Sequence, residues 1–376
     1  MIVHTAEVVR YVTAPAVTFE PLRDGASRGL LDHYLATLAV ATGPVGLTRM
    51  IASTADMTAR LLDFAPDALR RIGADAIIAD SAEPSGPIIA QHLGVPYVIS
   101  VTGLPLLEEE NVPPPFVGWR YRSDRLGRFR NRGGYRVSHF LMRPIASTLH
   151  RRRLTWGIKD ADQPLAYVAQ CPRILDYDRQ NLPPNFHYGS PWRNSPAPLL
   201  DPPNGDKPLI FCSLGSLQGA RKKLFAIMAK ACAEIGARAV IGHGGGLTPE
   251  EEASLPGNPL VRAFWPQETL LRLCSAAVLH GGFNTVLDAL AAKVPIVAVP
   301  IAFEQPGTAA RLAHFRVARV ISPQRLSVAT LVKALEEVVH DPTYRDMASR
   351  LSVAMEAGGG ASGAAVIVDA ALSKLP

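Results

Sequence analysis

Short apolar, β-branched runs alternate along this chain with stretches of helical periodicity, and that alternation narrows its fold more than any other feature. A strand buried on both faces reads as a continuous apolar run, and two parallel strands need a crossover, usually a helix, between them. DAIIAD (75–80) reads as such a strand, GPIIAQHLG (86–94) as a short helix closed by Gly94, and VPYVISV (95–101) as the next strand. Further on, PLIFCSLGS (208–216) is a strand running into a Gly/Ser loop. RKKLFAIMAKACAEIG (221–236) places apolar residues at 224, 225, 227, 228, 231 and 232, a helical stripe that stops at Gly236. ARAVIGH, AAVLHGG (276–282) and KVPIVAVP (293–300) are further strands, with NTVLDALAAK as the helix between the last two. The class expected is α/β, with helices layered on parallel sheets.

A chain of 376 residues suggests two domains. The stretch 189–208, GSPWRNSPAPLLDPPNGDKP, is dense in Pro, Gly, Ser and Asn and suits neither helix nor strand. We therefore expect a first domain over 1–190, a linker over 191–207 and a second domain over 208–376. A charged fraction of 19% against 48% hydrophobic residues excludes intrinsic disorder. Cys171, Cys212, Cys232 and Cys274 are too widely spaced for a disulfide scaffold or a Cys-x-x-Cys metal site, and read as buried thiols of a reducing compartment. No apolar run approaches the roughly 18–20 residues of a membrane span. The opening MIVHTAEVVR has neither the basic nor the apolar region of a signal peptide. A soluble, cytoplasmic protein is the expectation.

The stretch LHGGFNTVLDALAAKVPIVAVPIAFEQPG (279–307) carries the chemistry. A strand ends at Leu279, and Gly281, Gly282, Asn284 and Thr285 lead into a helix. Such a turn leaves backbone N–H groups and the positive helix end open to an anion. His280 stands beside that opening and can donate to a phosphate oxygen, and Asn284 and Thr285 serve equally as N-caps or phosphate donors. One turn on, Asp288 can reach a ribose hydroxyl. A plain strand-to-helix turn, with glycines for tightness, fits a bare His-Gly-Gly as well. FWPQ (264–267) adds aromatic Phe264 and amide-bearing Gln267, suited to a planar base, and FEQPG (303–307) puts Glu304 and Gln305 just past a strand end. Open α/β sheets bind ligands at that edge.

Together, FWPQ, HGGFNT…D and FEQPG resemble the nucleotide-sugar signature of the family 1 glycosyltransferases, and the upstream GDKPLIFCSLGSLQG (205–219), HGGGL (243–247), IADSAEPSG and VISVTGLPLLEEENVPPPF are similar to its bacterial zeaxanthin (carotenoid) glucosyltransferase branch. The resemblance covers nearly the whole chain. It implies the GT-B fold, two Rossmann-like domains with parallel sheets facing across a cleft. It also implies transfer of a hexose, glucose first, from a UDP-sugar to a hydroxyl of a hydrophobic acceptor such as zeaxanthin, with inversion and without a metal. UDP-glucose is then a substrate, and no cofactor is expected. Carried over, Phe264 stacks on uracil, Gln267 binds near the base or ribose, and His280 with 281–285 holds the diphosphate. Asp288 takes the ribose, Glu304 and Gln305 take the sugar hydroxyls, and Ser213, Gly215 and Ser216 approach the diphosphate from the other side. The family more often has Asp-Gln at the Glu304–Gln305 position. The triplets Asp160/Asp162 and Asp176/Asp178 have no further oxygen ligands nearby in sequence, so no metal site is expected.

The resemblance also implies a strand, loop and helix of about thirty residues ahead of MIVHTAEVV, which itself looks like a second strand; that loop carries the family's base histidine. The expectation is a true start upstream of Met1, the rival a degenerate chain that binds nucleotide without turnover. Asp80 matches the carboxylate that orients the base, whereas His4 lies on a different element. For the acceptor, 101–119 is apolar and proline-rich and reads either as the lining of a hydrophobic groove or as a surface loop. Macrolide and polyphenol acceptors remain alternatives to a carotenoid. Residues 119–153 hold eleven arginines, one aspartate, no lysine and no glutamate. They read as a solvated basic loop or as a peripheral contact with the inner face of a membrane, with Trp119, Tyr121, Phe129 and Tyr135 at the interface. No recognition motif accompanies the charge, so no nucleic-acid partner is expected. Gly25-Ala26-Ser27-Arg28-Gly29 fits G-x-S-x-G, and HGGG occurs at 243–246. But Ser27 follows no strand and the HGGG comes far downstream, which argues against a serine hydrolase.

Overall fold

The computed structural model describes residues 1–23, 25, 29–40, 43–159, 162–193, 200 and 205–373. Ser27, the hydrolase candidate, Asp160, and most of the expected linker lie outside the described residues.

The first lobe opens with a two-stranded parallel ribbon, β1 (Ile2–His4) and β2 (Phe19–Pro21), followed by α1 (Leu30–Ala39) and the long α2 (Gly43–Arg71). On α2, Ile51, Ala55, Thr58, Leu61, Leu62, Ala65 and Ala68 are buried, a three- and four-residue spacing that turns one face inward. The main sheet has four parallel strands in the order β3 (Ile77–Asp80), β4 (Tyr97–Val101), β5 (Tyr167–Ala169), β6 (Phe186–His187). Its helices are α3 (Ser85–Leu93), α4 (Arg125–Leu141) and α5 (Arg143–Thr155). Gly94 closes α3 in the left-handed conformation, φ 67°. The opening residues do form a strand, but β1 pairs only with β2 and the ribbon stays separate from the main sheet. On β3, at the edge of that sheet, Ile78 is 62% exposed. The arginine-rich segment is not a loop. Asp124 caps α4 by accepting from Gly127 N, and α5 follows after Met142 alone.

The second lobe is built on β7 (Leu209–Ser213), α6 (Lys222–Glu234), β8 (Arg238–Gly242), α7 (Pro249–Ala253), β9 (Leu260–Arg262), α8 (Gln267–Leu271), β10 (Cys274–Leu279), α9 (Phe283–Ala291), β11 (Ile296–Ala298), α10 (Gln305–His314) and β12 (Ala318–Val320). The helices α11 (Val328–His340), α12 (Pro342–Glu356) and α13 (Gly360–Leu372) complete it. Its six strands are parallel in the order β12-β11-β10-β7-β8-β9. The winding reverses between β7 and β10, so the chain leaves those two neighbours in opposite directions and opens a crevice at their carboxyl ends. β10 is apolar and almost wholly buried, as a central parallel strand requires. All four cysteines are buried and free.

The lobes are tied by packing and by charge. The last helix of the stretch 208–376 crosses back: Ile367, Val368 and Ala371 of α13 pack on Val98, Ala166 and Val168 of the first sheet. Between the lobes, buried Asp176 accepts from Arg179 Nε at 2.6 Å and from Arg311 Nε, on α10, at 2.9 Å. Tyr188 donates its hydroxyl to the same carboxylate at 3.0 Å, and the Arg311 guanidinium lies 4.3 Å from the Tyr177 ring centre. Burial alone would raise the Asp176 carboxyl, but Arg311 and Arg179 outweigh it and hold the group below the ordinary carboxylate range. With its oxygens occupied in this way, Asp176 has none to spare for a cation.

Candidate active site

The crevice at the winding reversal is shaped by backbone that carries no side chain. After Leu279, Gly281 adopts φ 88°, a conformation that disfavours other residues, and a Cβ there would sit 3.1 Å from the Gln305 carbonyl oxygen. Gly282 is the N-cap of α9, and no side chain caps that helix, so its first-turn N–H groups stay open. A Cβ on Gly282 would lie 2.3 Å from His280 Nε2, and one on Gly215, in the loop after β7, 2.7 Å from the same atom. The two bare loops therefore close around one imidazole. Burial holds His280 down at about 4, despite an interaction with the Ser213 backbone that raises it, so it is neutral at pH 7.

Around it lies a cavity of about 330 Å³. Ser213, Gly215 and Ser216 form one side, and His280, Gly282, Asn284 and Thr285 the other. Phe264 and Gln267 stand at one end and Gln305 at the opposite loop. The structure thus brings ten of the sequence-derived residues onto one surface. Two buried side-chain atoms on it have no hydrogen-bond partner among the described residues: Gln218 Nε2 and Gln267 Oε1. Desolvated polar atoms without partners are costly, and their convergence on one hollow points to a polar ligand. Phe264 is 71% exposed at the rim, a large aromatic face open to solvent.

Other expected residues sit differently. Gly281 and Asp288 are not on the cavity wall; Gly281 serves the approach to Gln305, and Asp288 receives Arg193 Nε at 2.6 Å. Burial pushes the Asp288 carboxyl up while Arg193 pulls it down. Gln305 spends its side-chain oxygen on Ile301 N and Ala302 N, both at 2.9 Å, which leaves its amide nitrogen for a ligand. Glu304 lines a neighbouring hollow, and burial raises its carboxyl. Asp80 is exposed at the end of β3, bonded to Thr102 Oγ1 at 3.1 Å and Ala82 N at 2.7 Å, with no histidine against it among the described residues.

That neighbouring hollow, about 710 Å³, runs between the lobes. Leu47, Met50 and Ile51 of α2, Leu104 and Leu106, Phe116, and Leu141 and Met142 make it predominantly apolar. The 101–119 segment thus lines a groove, and it also meets the second lobe, where Gly307 packs against Pro115 and Gly118 against Pro306. Both cavities are bounded by Phe283 and Asn284, so they meet at the start of α9. Gln170 of the first lobe fixes that junction, donating to Asn284 Oδ1 at 2.8 Å and to the Thr102 carbonyl.

Sequence reasoning passed over Gln218, Trp265 and Gln170. Trp265 was visible inside FWPQ; its Nε1 donates to Ile241 O at 2.9 Å and Arg262 stacks on its ring. Gln170 and Arg193 act across the lobes and leave no local signal. His243 of the HGGG stretch is buried, accepting from Leu247 N at 2.9 Å and facing Glu252 at 2.8 Å, so it shapes its own loop.

A family model described as UDP-glucoronosyl and UDP-glucosyl transferase matches residues 199–356. The chain is 34% identical over 335 residues to the zeaxanthin glucosyltransferase of Pseudescherichia vulneris, covering 87% of this chain and 81% of that protein. It is 32% identical over 355 residues to the zeaxanthin glucosyltransferase of Pantoea ananas, covering 91% and 81%. Among solved structures, a calicheamicin glycosyltransferase superposes with a TM-score of 0.75 at 22% identity, covering 99% of this chain and 90% of the other. That likeness establishes the GT-B fold.

Proposed function

The chain belongs to the family of UDP-glucuronosyl and UDP-glucosyl transferases, and from that premise we propose that it moves a hexose, glucose first, from a UDP-sugar to a hydroxyl of a hydrophobic carotenoid-like acceptor, with inversion and without a metal. The observation that carries the proposal is the meeting of a polar cavity and an apolar one at Phe283 and Asn284. A sugar whose diphosphate lies in the first has its anomeric carbon facing the second.

In this reading the uracil stacks on Phe264 and the Gln267 side-chain oxygen accepts from the base or ribose. The diphosphate takes the open N–H groups at the start of α9, with a neutral His280 donating one hydrogen bond. The acceptor oxygen attacks the anomeric carbon from the face opposite UDP, the bond to the β-phosphate oxygen breaks, and UDP leaves with the electron pair. N–H donors and the α9 dipole stabilise the charge that develops. Turnover also needs a base to take the acceptor proton: Asp80, whose partner Thr102 lines the apolar cavity, stands where such a base would be oriented, and no described histidine lies against it. Glu304 and the Gln305 amide bind the sugar hydroxyls. Nucleotide binding without turnover is the second reading, favoured by the bonding of Asp80 to Thr102 and Ala82 alone.

Incubation with UDP-glucose and zeaxanthin, followed by mass analysis, is expected to give products heavier by one or two hexoses. UDP binding with no product supports the second reading. The absence of any calorimetric heat with UDP or UDP-glucose overturns both. Phe264→Ala is expected to leave the melting temperature unchanged and weaken UDP about tenfold, within the ~1–3 kcal/mol of a base stacked on an aromatic ring.

A further inference from the structure

α4 carries an apolar face that stays exposed among the described residues. Leu126, Phe129, Val137 and Phe140 are 67%, 71%, 59% and 61% exposed. At about 100° per residue, these four fall within about 80° of one another around the helix. Buried Gly127, Asn131 and Tyr135 lie nearly opposite, so the helix is amphipathic in both directions: one face seats it on the protein, the other offers an unpartnered apolar stripe. Five arginines and no acid occupy α4. Arg125 and Arg136 flank the stripe on one side, exposed and without an ion-pair partner among the described residues. Arg143 stacks on Phe140 at 4.8 Å.

We infer that this stripe is a docking surface for an anionic lipid bilayer, with Leu126, Phe129, Val137 and Phe140 entering the interface and the arginines on the headgroup phosphates. The charge pattern selects this occupant. Leu126 and Val137 have nothing to gain from a nucleic-acid backbone, whereas a headgroup–acyl boundary takes aliphatic side chains and arginine together. A second copy of the chain would set one arginine-rich helix against another, and like charges oppose that pairing. The aromatic set differs from the one the sequence suggested. Trp119 packs on Gly134, Tyr121 stacks on Tyr177 at 4.5 Å, and Tyr135 is buried, leaving Phe129 with Phe140. The placement deepens the function proposed above and rests on it for its purpose: Ser138, Leu141 and Met142, at the same end of α4, line the apolar cavity. A lipid-dissolved acceptor then passes from the bilayer into the lobe cleft without crossing water.

The test is co-sedimentation of the full chain with vesicles of phosphatidylcholine alone and of phosphatidylcholine with one-third phosphatidylglycerol. The chain is expected to sediment with the anionic vesicles. Partitioning is expected to fall about tenfold with Phe129→Asp combined with Phe140→Asp, and several-fold when salt is raised past the point where the Debye length is about 3 Å. Both side chains are exposed and neither lines the polar or the apolar cavity described above, so the double variant should keep its melting temperature and its UDP-induced melting shift, which separates this inference from the donor-site reading. A chain that stays in the supernatant with anionic vesicles overturns the proposal, as does a double variant that sediments like the parent. A dimer in sedimentation velocity that the double variant abolishes, without vesicle binding, assigns the stripe to self-association and also overturns it.

Discussion

Replacing Asp176 by asparagine tests the reasoning about the lobe interface most sharply. The carboxylate is wholly buried between Arg179 and Arg311, whose side chains are each 1% exposed. The triad carries one positive charge more than it balances. Asp176→Asn leaves two desolvated guanidiniums facing each other without an anion, and removing one partner of a buried ionic set costs about 3–5 kcal/mol. Arg311→Met is the opposite perturbation: it deletes the surplus charge, keeps the Asp176–Arg179 pair at 2.6 Å, and lays an apolar chain on the Tyr177 ring. Its cost should be about 1 kcal/mol or less. At about 2–4 °C per kcal/mol for domains of this size, Asp176→Asn should lower the melting temperature by about 6–20 °C and Arg311→Met by a few degrees at most. Chemical denaturation should give the same order. Equal losses in the two variants, or a larger loss in Arg311→Met, would refute the claim that the anion, rather than the shape of the contact, sustains the interface.

Three further outcomes follow from the polar cavity. His280 titrates at about 4 in the fold against 6.5 in a free chain. The unfolded state therefore takes up that proton first, and its stabilising contribution of about 3 kcal/mol, complete above pH 6.5, is lost as the pH falls through the window to about 4; denaturation of His280→Gln over that range should show a correspondingly shallower pH dependence. Gly282→Ala drives a Cβ into the imidazole, so UDP affinity measured by calorimetry should fall at least about tenfold, the ~1.4 kcal/mol equivalent of a modest steric shift. Gln218→Leu removes an unpartnered donor together with the oxygen that accepts from Arg221 Nε at 2.7 Å, so it should cost no more than about 1–2 kcal/mol of stability. If that donor meets the nucleotide, the same variant weakens UDP about three- to tenfold, at the ~0.5–1.5 kcal/mol of one hydrogen bond; equal affinity means it does not.

The parts of the fold visible in the sequence are those whose signal is local. The strands Leu209–Ser213, Arg238–Gly242, Cys274–Leu279 and Ile296–Ala298 are apolar runs with Gly or Pro nearby, whereas the short Leu260–Arg262 is not marked so, and the site loops are glycines beside small polar residues at strand ends. Ligand chemistry demands bare backbone there, and bare backbone is written as glycine. What the chain does across the lobes leaves no such trace. Asp176 looked like half of an Asp-x-Asp triplet, because its partner Arg311 is 135 residues away. Asp288 matched a ribose ligand by position, but Arg193 reaches it from a segment that reads only as linker. The arginine-rich region concealed α4 because Gly133 and Gly134 interrupt its pattern, although Gly134 is the residue that lets Trp119 pack close. Composition carried its charge and aromatics; only the helix geometry tells which aromatics face outward.

The distribution of charge ties the two proposals together. The chain has a formal net charge of +6, yet among the described residues no lysine, arginine, aspartate or glutamate lines the polar cavity at the winding reversal. A diphosphate there is met by N–H dipoles and a neutral imidazole, fixed at short range and sheltered from salt. The surplus positive charge stands instead on the outer faces of α4 and α5, where attraction decays over a Debye length of about 8–10 Å in ordinary buffers. One salt titration therefore separates the two sites: vesicle binding should weaken several-fold between low and high salt, while UDP affinity in the same buffers stays within about twofold. If UDP affinity falls as steeply as vesicle binding, a lysine or arginine outside the cavity must hold the diphosphate, and the open turn before α9 is not its binding site.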